Sequence, residues 1–138
     1  MLFRPLNIVS GDFYWISRVG KKIIYTAADC TGHGVPGAFM SMLGVAFLNE
    51  IVNKDQVTSP DKILNHLRNK VIHALQQQGI TGETRDGMDM AIVAIDTDTG
   101  LLEFAGAYNP LILIRAGEIA EYPGEKMPVG FYENMHDF

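Results

Sequence analysis

Asp29 closes an apolar run, Lys22 to Ala28, and is followed by Cys30-Thr31-Gly32-His33-Gly34-Val35-Pro36-Gly37-Ala38. Glycine carries no Cβ and tolerates positive φ, so such a turn lets the main chain approach a ligand closely. A carboxylate at a strand end can hold a hard divalent cation through oxygen. Upstream, Ser10-Gly11-Asp12-Phe13-Tyr14 offers a second glycine–carboxylate pair. Together the two segments point to a metal site that works on phosphate. His33 adds a group able to protonate a leaving alkoxide near neutral pH. An isolated aspartate before glycines at a strand end is more often a turn than a metal site. The strand pattern before it, the helix pattern after it and the GDFY block favour the site.

These residues need elements to position them. The mixed apolar and aromatic stretch from Ile8 to Val19 and the run Ile23 to Ala28 predict a β-hairpin, with Gly20 in its turn. Pro36 suits the first turn of a helix. From Ala38 to Val52 that helix is apolar nearly all round, which predicts burial on more than one side, between a sheet and another helix. Phe39, Met40, Met42 and Phe47 then read as core packing. A second helix starts with Ser59 as N-cap and Pro60 at the first position, shows one apolar face (Ile63, Leu64, Leu67, Val71, Ile72, Leu75), and should end near Gly79. His66 and His73 lie on it without other ligand-like neighbours. Residues 80 to 87 read as an exposed loop. Strands follow at Met88 to Asp96, Leu101 to Ala107, Leu111 to Ile114 and Ile119 to Tyr122, with a Met-Pro-Val-Gly turn behind them. This order indicates an α+β domain with an antiparallel sheet.

Composition narrows the classes. The 138 residues suffice for one domain with a hydrophobic core, at 47% hydrophobic and 20% charged. The formal net charge of −5 and scattered basic residues argue against nucleic acid as a partner. There is no run of 18 apolar residues and no signal-peptide layout, so no membrane contact is expected of this segment. A single cysteine, Cys30, fits a reducing cytoplasm and stands in no cysteine-phosphatase loop.

The ordered blocks GDFY, DCTGHGVPGAFM, DGMDMAIVAID and AGAYNPLILI, with two helices between the second and third, resemble the SpoIIE-type serine/threonine phosphatases of the metal-dependent (PPM, type 2C-like) superfamily. The resemblance runs over nearly the whole chain. It implies an antiparallel β-sandwich flanked by helices, with two Mn²⁺ or Mg²⁺ ions at one edge. It implies that Asp29 bridges both ions, that the Cys30 main-chain carbonyl is a further ligand, and that Asp12 binds directly or through water. His33 is the candidate general acid, at a position where relatives often carry lysine or serine. Asp86 and Asp89 are implied to lie near the active edge. Asp89 there is either a support or extra metal contact, or simply solvated. In Ala-Tyr-Asn-Pro, Tyr108 stands where histidine is usual, and the block around Asn109 reads as structural.

The sequence departs from the family pattern in one respect. The later aspartates of a TDG-like strand end and a DD-type motif have no counterpart here, so the domain reads as lacking its C-terminal part. Weak metal binding and little activity are then expected of this stretch by itself, and exposed sheet edges favour a homodimer. The resemblance implies a phosphorylated regulatory partner of the STAS-type anti-sigma-factor antagonist class, and a sensor domain upstream. Two other readings remain. One is a catalytically silent phosphatase-like module that only binds a partner. The other is a nucleotide binder using the GHG turn, which lacks the Lys-Ser/Thr of a P-loop.

Overall fold

Two residues, Gly20 and Lys21, join β1 (Phe13–Val19) to β2 (Lys22–Cys30), with Val19 opposite Lys22. Gly20 has φ 57, the left-handed backbone that a two-residue hairpin asks of its first central position. This computed structural model describes residues 9–80 and 85–138 of the chain. The expected strand start at Ile8 and half of the expected 80–87 loop, residues 81–84, therefore lie outside the described residues.

Helix α1 (Gly34–Leu48) continues without a break into a π-helical segment, Asn49–Lys54. Helix α2 (Pro60–Ala74) follows, then β3 (Gly87–Asp96), β4 (Leu102–Ala107), β5 (Leu111–Arg115), β6 (Glu118–Tyr122) and a two-residue strand β7 (Val129–Gly130). One antiparallel sheet runs in the order β1-β2-β3-β4, with β7 pairing the start of β3, and β5 and β6 form a separate hairpin. The α+β class and the antiparallel sheet agree with the sequence reading. Among the described residues the expected second sheet of the sandwich is represented only by the β5–β6 hairpin, whose residues are mostly exposed.

Alternation along the strands sends Phe13, Trp15, Ile24, Met90 and Ile92 to one face, where they pack with Met40, Leu48, Ile51, Ile63, Leu64 and Leu67. Polar groups on this face are paired. The Thr26 hydroxyl donates to the Ala91 carbonyl at 2.8 Å, and the Trp15 indole N–H donates to Asn49 at 3.2 Å. The opposite face, with Tyr14 and Ile16, is open.

Arg68 on α2 is buried, and its guanidinium reaches the carbonyl of His136 at 2.6 Å and the Asn65 side chain at 3.0 Å. The Phe138 ring lies under it, 5.1 Å from centroid to guanidinium carbon. Burial lowers the Arg68 pKa from its ordinary value, and Asp137 opposes that shift.

Three expectations are corrected. Helix α1 is buried along one stripe only: Met40 is 5% exposed, whereas Phe39 and Met42 are 62% and 67% exposed. Neither is core, because the described residues provide no second layer over that side. By length and composition the Gly34–Lys54 helix is apolar enough to cross a membrane, yet its buried stripe packs on the sheet. Ser59 is the N-cap residue of α2 and Pro60 opens it, as expected, with the Ser59 hydroxyl donating to Asp61. That helix ends at Ala74 rather than near Gly79, and the expected Met-Pro-Val-Gly turn contains β7.

The corrected face predicts a contrast. Met40→Ala should destabilise by about 2–4 kcal/mol, because it empties a packed site. Phe39→Ser should stay within about 0.5 kcal/mol, as exposed substitutions do. Urea denaturation of both variants measures this; similar losses would mean that the outer stripe is covered.

Candidate active site

The β-sheet register assembles the acidic residues. Asp29 pairs with Asp89 across β2 and β3, and Phe13 pairs with Ala28, so Asp12 lies one step further along, beside Asp29. Three carboxylates, two in adjacent strands and Asp12 just before the third, therefore stand in one row at one end of the sheet. Burial raises the Asp29 pKa above the usual carboxylate range, a hydrogen bond from its protonated carboxyl to Asp12 adds to this, and the Asp12 charge adds further. Asp89 is raised in the same direction, by burial first and by Asp29 second. Like charges held together in this way favour either a proton or a cation.

The loops are fixed by close main-chain packing. A Cβ on Gly11 would stand 3.0 Å from the Gly32 carbonyl oxygen and 3.1 Å from that of Cys30. One on Gly37 would stand 2.6 Å from the Gly32 oxygen and 3.1 Å from the Gly11 Cα. The GDF turn, the glycine-rich loop and the start of α1 thus meet where side chains have no room. The Ser41 hydroxyl, on α1, lies 3.2 Å from the Ser10 carbonyl, and the Asp12 N–H donates to the Ser10 hydroxyl at 3.0 Å. On the other side the Thr31 N–H donates to the Gly87 carbonyl at 2.9 Å, and the Gly87 N–H donates to the Thr31 hydroxyl at 3.1 Å.

Two adjoining openings border this corner. One, of about 430 Å³, is lined by Asp29, Cys30, Thr31, Gly32, His33 and Asp89. The other, of about 200 Å³, includes Ser10, Gly11, Asp12, Asp29 and His33. The sequence candidates Asp12, Asp29, Cys30 and His33 are therefore brought together. Asp86 lines neither opening; its carbonyl accepts from the buried Gln77 side chain at 2.6 Å.

The Cys30 side chain is buried on the core face. Burial, then the charges of Asp29 and Asp12, push its thiol up to about 12. It is neither a thiolate nucleophile nor a thiolate ligand at neutral pH. His33 is exposed at the N-terminus of α1 and makes no capping hydrogen bond.

The donor set suits a hard cation: two carboxylates and, at Cys30, a main-chain carbonyl beside the GDF turn. Among the described residues, however, no three His, Cys, Asp or Glu side chains converge closely enough to hold a metal ion by themselves. The acidic row is extended rather than clustered. Sequence reading did not single out Ser10, Thr31 and Ser41 as the residues that pin the loops. Only Ser10, two positions before Asp12, carries a local signal, that of a hydroxyl-capped turn.

Residues 20–138 match the family described as stage II sporulation protein E (SpoIIE), a span that includes Asp29 but not Asp12. Among solved structures, the SiaA-PP2C domain of Pseudomonas aeruginosa is 29% identical with a TM-score of 0.81, over 94% of this chain and 50% of that one. The PP2C phosphatase domain of SpoIIE from Bacillus subtilis, solved with a fragment of its regulatory domain, is 19% identical with a TM-score of 0.70, over 95% of this chain and 36% of that one. A stage II sporulation E family protein from Thermanaerovibrio acidaminovorans is 22% identical with a TM-score of 0.61, over 79% and 52% of the two chains. The last two likenesses show the fold alone. The chain spans about half the length of these solved structures, or less. No curated protein matches it.

Proposed function

The chain belongs to the SpoIIE family of PP2C-like phosphatase domains, and on that premise we propose that it is part of a metal-dependent phosphatase removing phosphate from serine or threonine of a regulatory protein. The observation that carries this reading is the Asp12–Asp29 pair, two mutually unfavourable carboxylates at the mouth of an opening lined by His33. Asp29 and Asp12 would hold the metal, with the Cys30 main-chain oxygen as a further donor. Two Mn²⁺ or Mg²⁺ ions held there would activate a water for attack and offset the charge on the phosphoryl oxygens.

The chain's own residues do the rest. Gly32 and Gly34 keep side chains away from the phosphate. Thr31 ties the loop to β3, so the Asp29 carboxylate keeps its direction. His33, exposed at the rim, holds a proton for the departing serine oxygen. In the same reading the partner is a STAS-type anti-sigma-factor antagonist, the protein is cytoplasmic, a sensor domain lies upstream, and open sheet edges permit a dimer. A structure described with the bacterial stressosome, 20% identical with a TM-score of 0.60, supports the fold and is consistent with a signalling setting.

The test is hydrolysis of p-nitrophenyl phosphate and phosphocasein by the full-length gene product. Turnover should vanish with EDTA and return with Mn²⁺; turnover indifferent to chelation would sink the reading. A second reading, a silent phosphatase-like binding module, is favoured by the absence of a third converging ligand among the described residues. Calorimetric titration of the 138-residue stretch with Mn²⁺ bears on both. A dissociation constant of about 1 mM or weaker is expected for so few ligands, and tight two-site binding would exclude an incomplete site.

A further inference from the structure

We infer that Tyr108 is a substrate-contacting residue: its ring forms a platform for the polypeptide that flanks the phosphorylated side chain. The inference rests on the phosphatase reading and extends it to how a protein substrate is told from a small phosphate ester. The carboxylate row does not stop at Asp89. Met90 pairs with Ala107 as the last pair of the β3–β4 ladder, and Tyr108 follows directly, near enough to Asp89 for that charge to act on its phenol. Asp12 just before β1, Asp29 in β2, Asp89 in β3 and Tyr108 just after β4 thus follow the order of four adjacent strands. Neighbouring strands lie about 4.8 Å apart, which sets Tyr108 about 10 Å along the sheet from Asp29. An extended peptide covers that span in about three residues. A phosphoserine seated at Asp29 would therefore carry its flanking residues to the tyrosine.

The backbone presents this side chain by construction. Tyr108 has φ 58, a left-handed conformation unfavourable for any residue with a Cβ. Such strain persists only where the surroundings enforce it, and it concentrates at functional positions. Here the enforcement is visible. The Tyr108 N–H donates to the Glu125 carbonyl at 2.8 Å, and the Glu125 N–H donates to the Gly106 carbonyl at 2.8 Å. The Asn109 carbonyl folds back so tightly that a Cβ on Gly106 would stand 2.2 Å from it, and one on Gly124 would stand 2.7 Å away. Pro110 follows and stiffens the turn. The result is a large aromatic ring, 44% exposed, on a rigid loop.

The Tyr108 hydroxyl engages Tyr132, and burial together with the Tyr132 and Asp89 interactions raises its pKa. The phenol thus stays neutral. What remains for a ligand is ring surface, which binds peptide groups and side chains with little loss of conformational freedom.

The test compares kcat/KM for phosphocasein with that for p-nitrophenyl phosphate, using the full-length gene product. In Tyr108→Ala the ratio of the two should fall about tenfold, mainly through KM for phosphocasein. In Tyr108→Phe, which keeps the ring, the ratio should stay within about twofold of wild type. A ratio unchanged in Tyr108→Ala would overturn the inference, as would an equal loss in the alanine and phenylalanine variants. If the wild type shows no chelator-sensitive turnover of p-nitrophenyl phosphate, the phosphatase reading itself fails and Tyr108 loses its assigned role with it.

Discussion

Asp29→Asn in the full-length gene product is expected to lower kcat/KM for phosphomonoesters by about 10³-fold or more, equivalent to at least about 4 kcal/mol of transition-state stabilisation. Asparagine keeps the size and one oxygen of the side chain but removes the negative charge, and a neutral amide holds Mn²⁺ or Mg²⁺ poorly. Asp12 would remain with the Cys30 carbonyl, too few donors to keep a metal pair in place. The same change should act in the opposite sense on folding without metal. Asp29 and Asp89 both have raised pKa values in the folded protein, so the folded state binds more protons than the unfolded state just above the ordinary carboxylate range. Their contribution to stability is fully present below the unfolded carboxylate pKa and is lost as pH rises through the raised values. At neutral pH the substitution removes that repulsion, so the metal-free variant should melt no lower than wild type. Phosphatase assays and thermal denaturation in EDTA check the two halves. A variant that keeps most of its activity would remove Asp29 from the centre, and one that melts much lower would show a structural loss instead.

Gly37→Ala should lose about 2–4 kcal/mol of stability, because main chain and not a pliable side chain stands in the way of the new methyl. The oxygen of Gly32 would be 2.6 Å from it and the Gly11 Cα 3.1 Å. Neither atom can move without displacing the glycine-rich loop or the GDF turn, so activity in the full-length protein should fall as well. Gly34→Ala is the control. Gly34 has φ 62 but nothing within 4 Å of a would-be Cβ. Its cost should stop at about 1 kcal/mol, the penalty for a left-handed residue other than glycine. Denaturant titration of the pair separates crowding from backbone strain; equal losses would mean that the corner is looser than described.

Local signals were the legible ones. Gly20 marked the first hairpin, and Pro60 with a one-sided apolar stripe marked α2. Each depends on residues close together in sequence. The partners Asp12 and Asp29 could be read because each sits in its own short motif. The outer side of α1 could not, since apolar composition records a capacity for burial and not whether a cover exists within the same stretch. Strand β7 has only two residues and no periodicity to detect. The alignment of Asp89 with Asp29, and the approach of Tyr108 to Asp89, depend on the pairing of strands about sixty and about twenty residues apart. Nothing in the AGAYNP block announces that Gly106 and Gly124 fold the Asn109 carbonyl back and turn Tyr108 left-handed.

Arg68 ties two distant parts of the chain into one cooperative unit. Its guanidinium belongs to α2, whereas the His136 carbonyl and the Phe138 ring belong to the segment after β7. Partial melting of the helix would strip that segment of its anchor, and release of the segment would strand a cation inside the protein. Neither event is favourable by itself, so the two should come apart together, as a single opening rather than as fraying from one end.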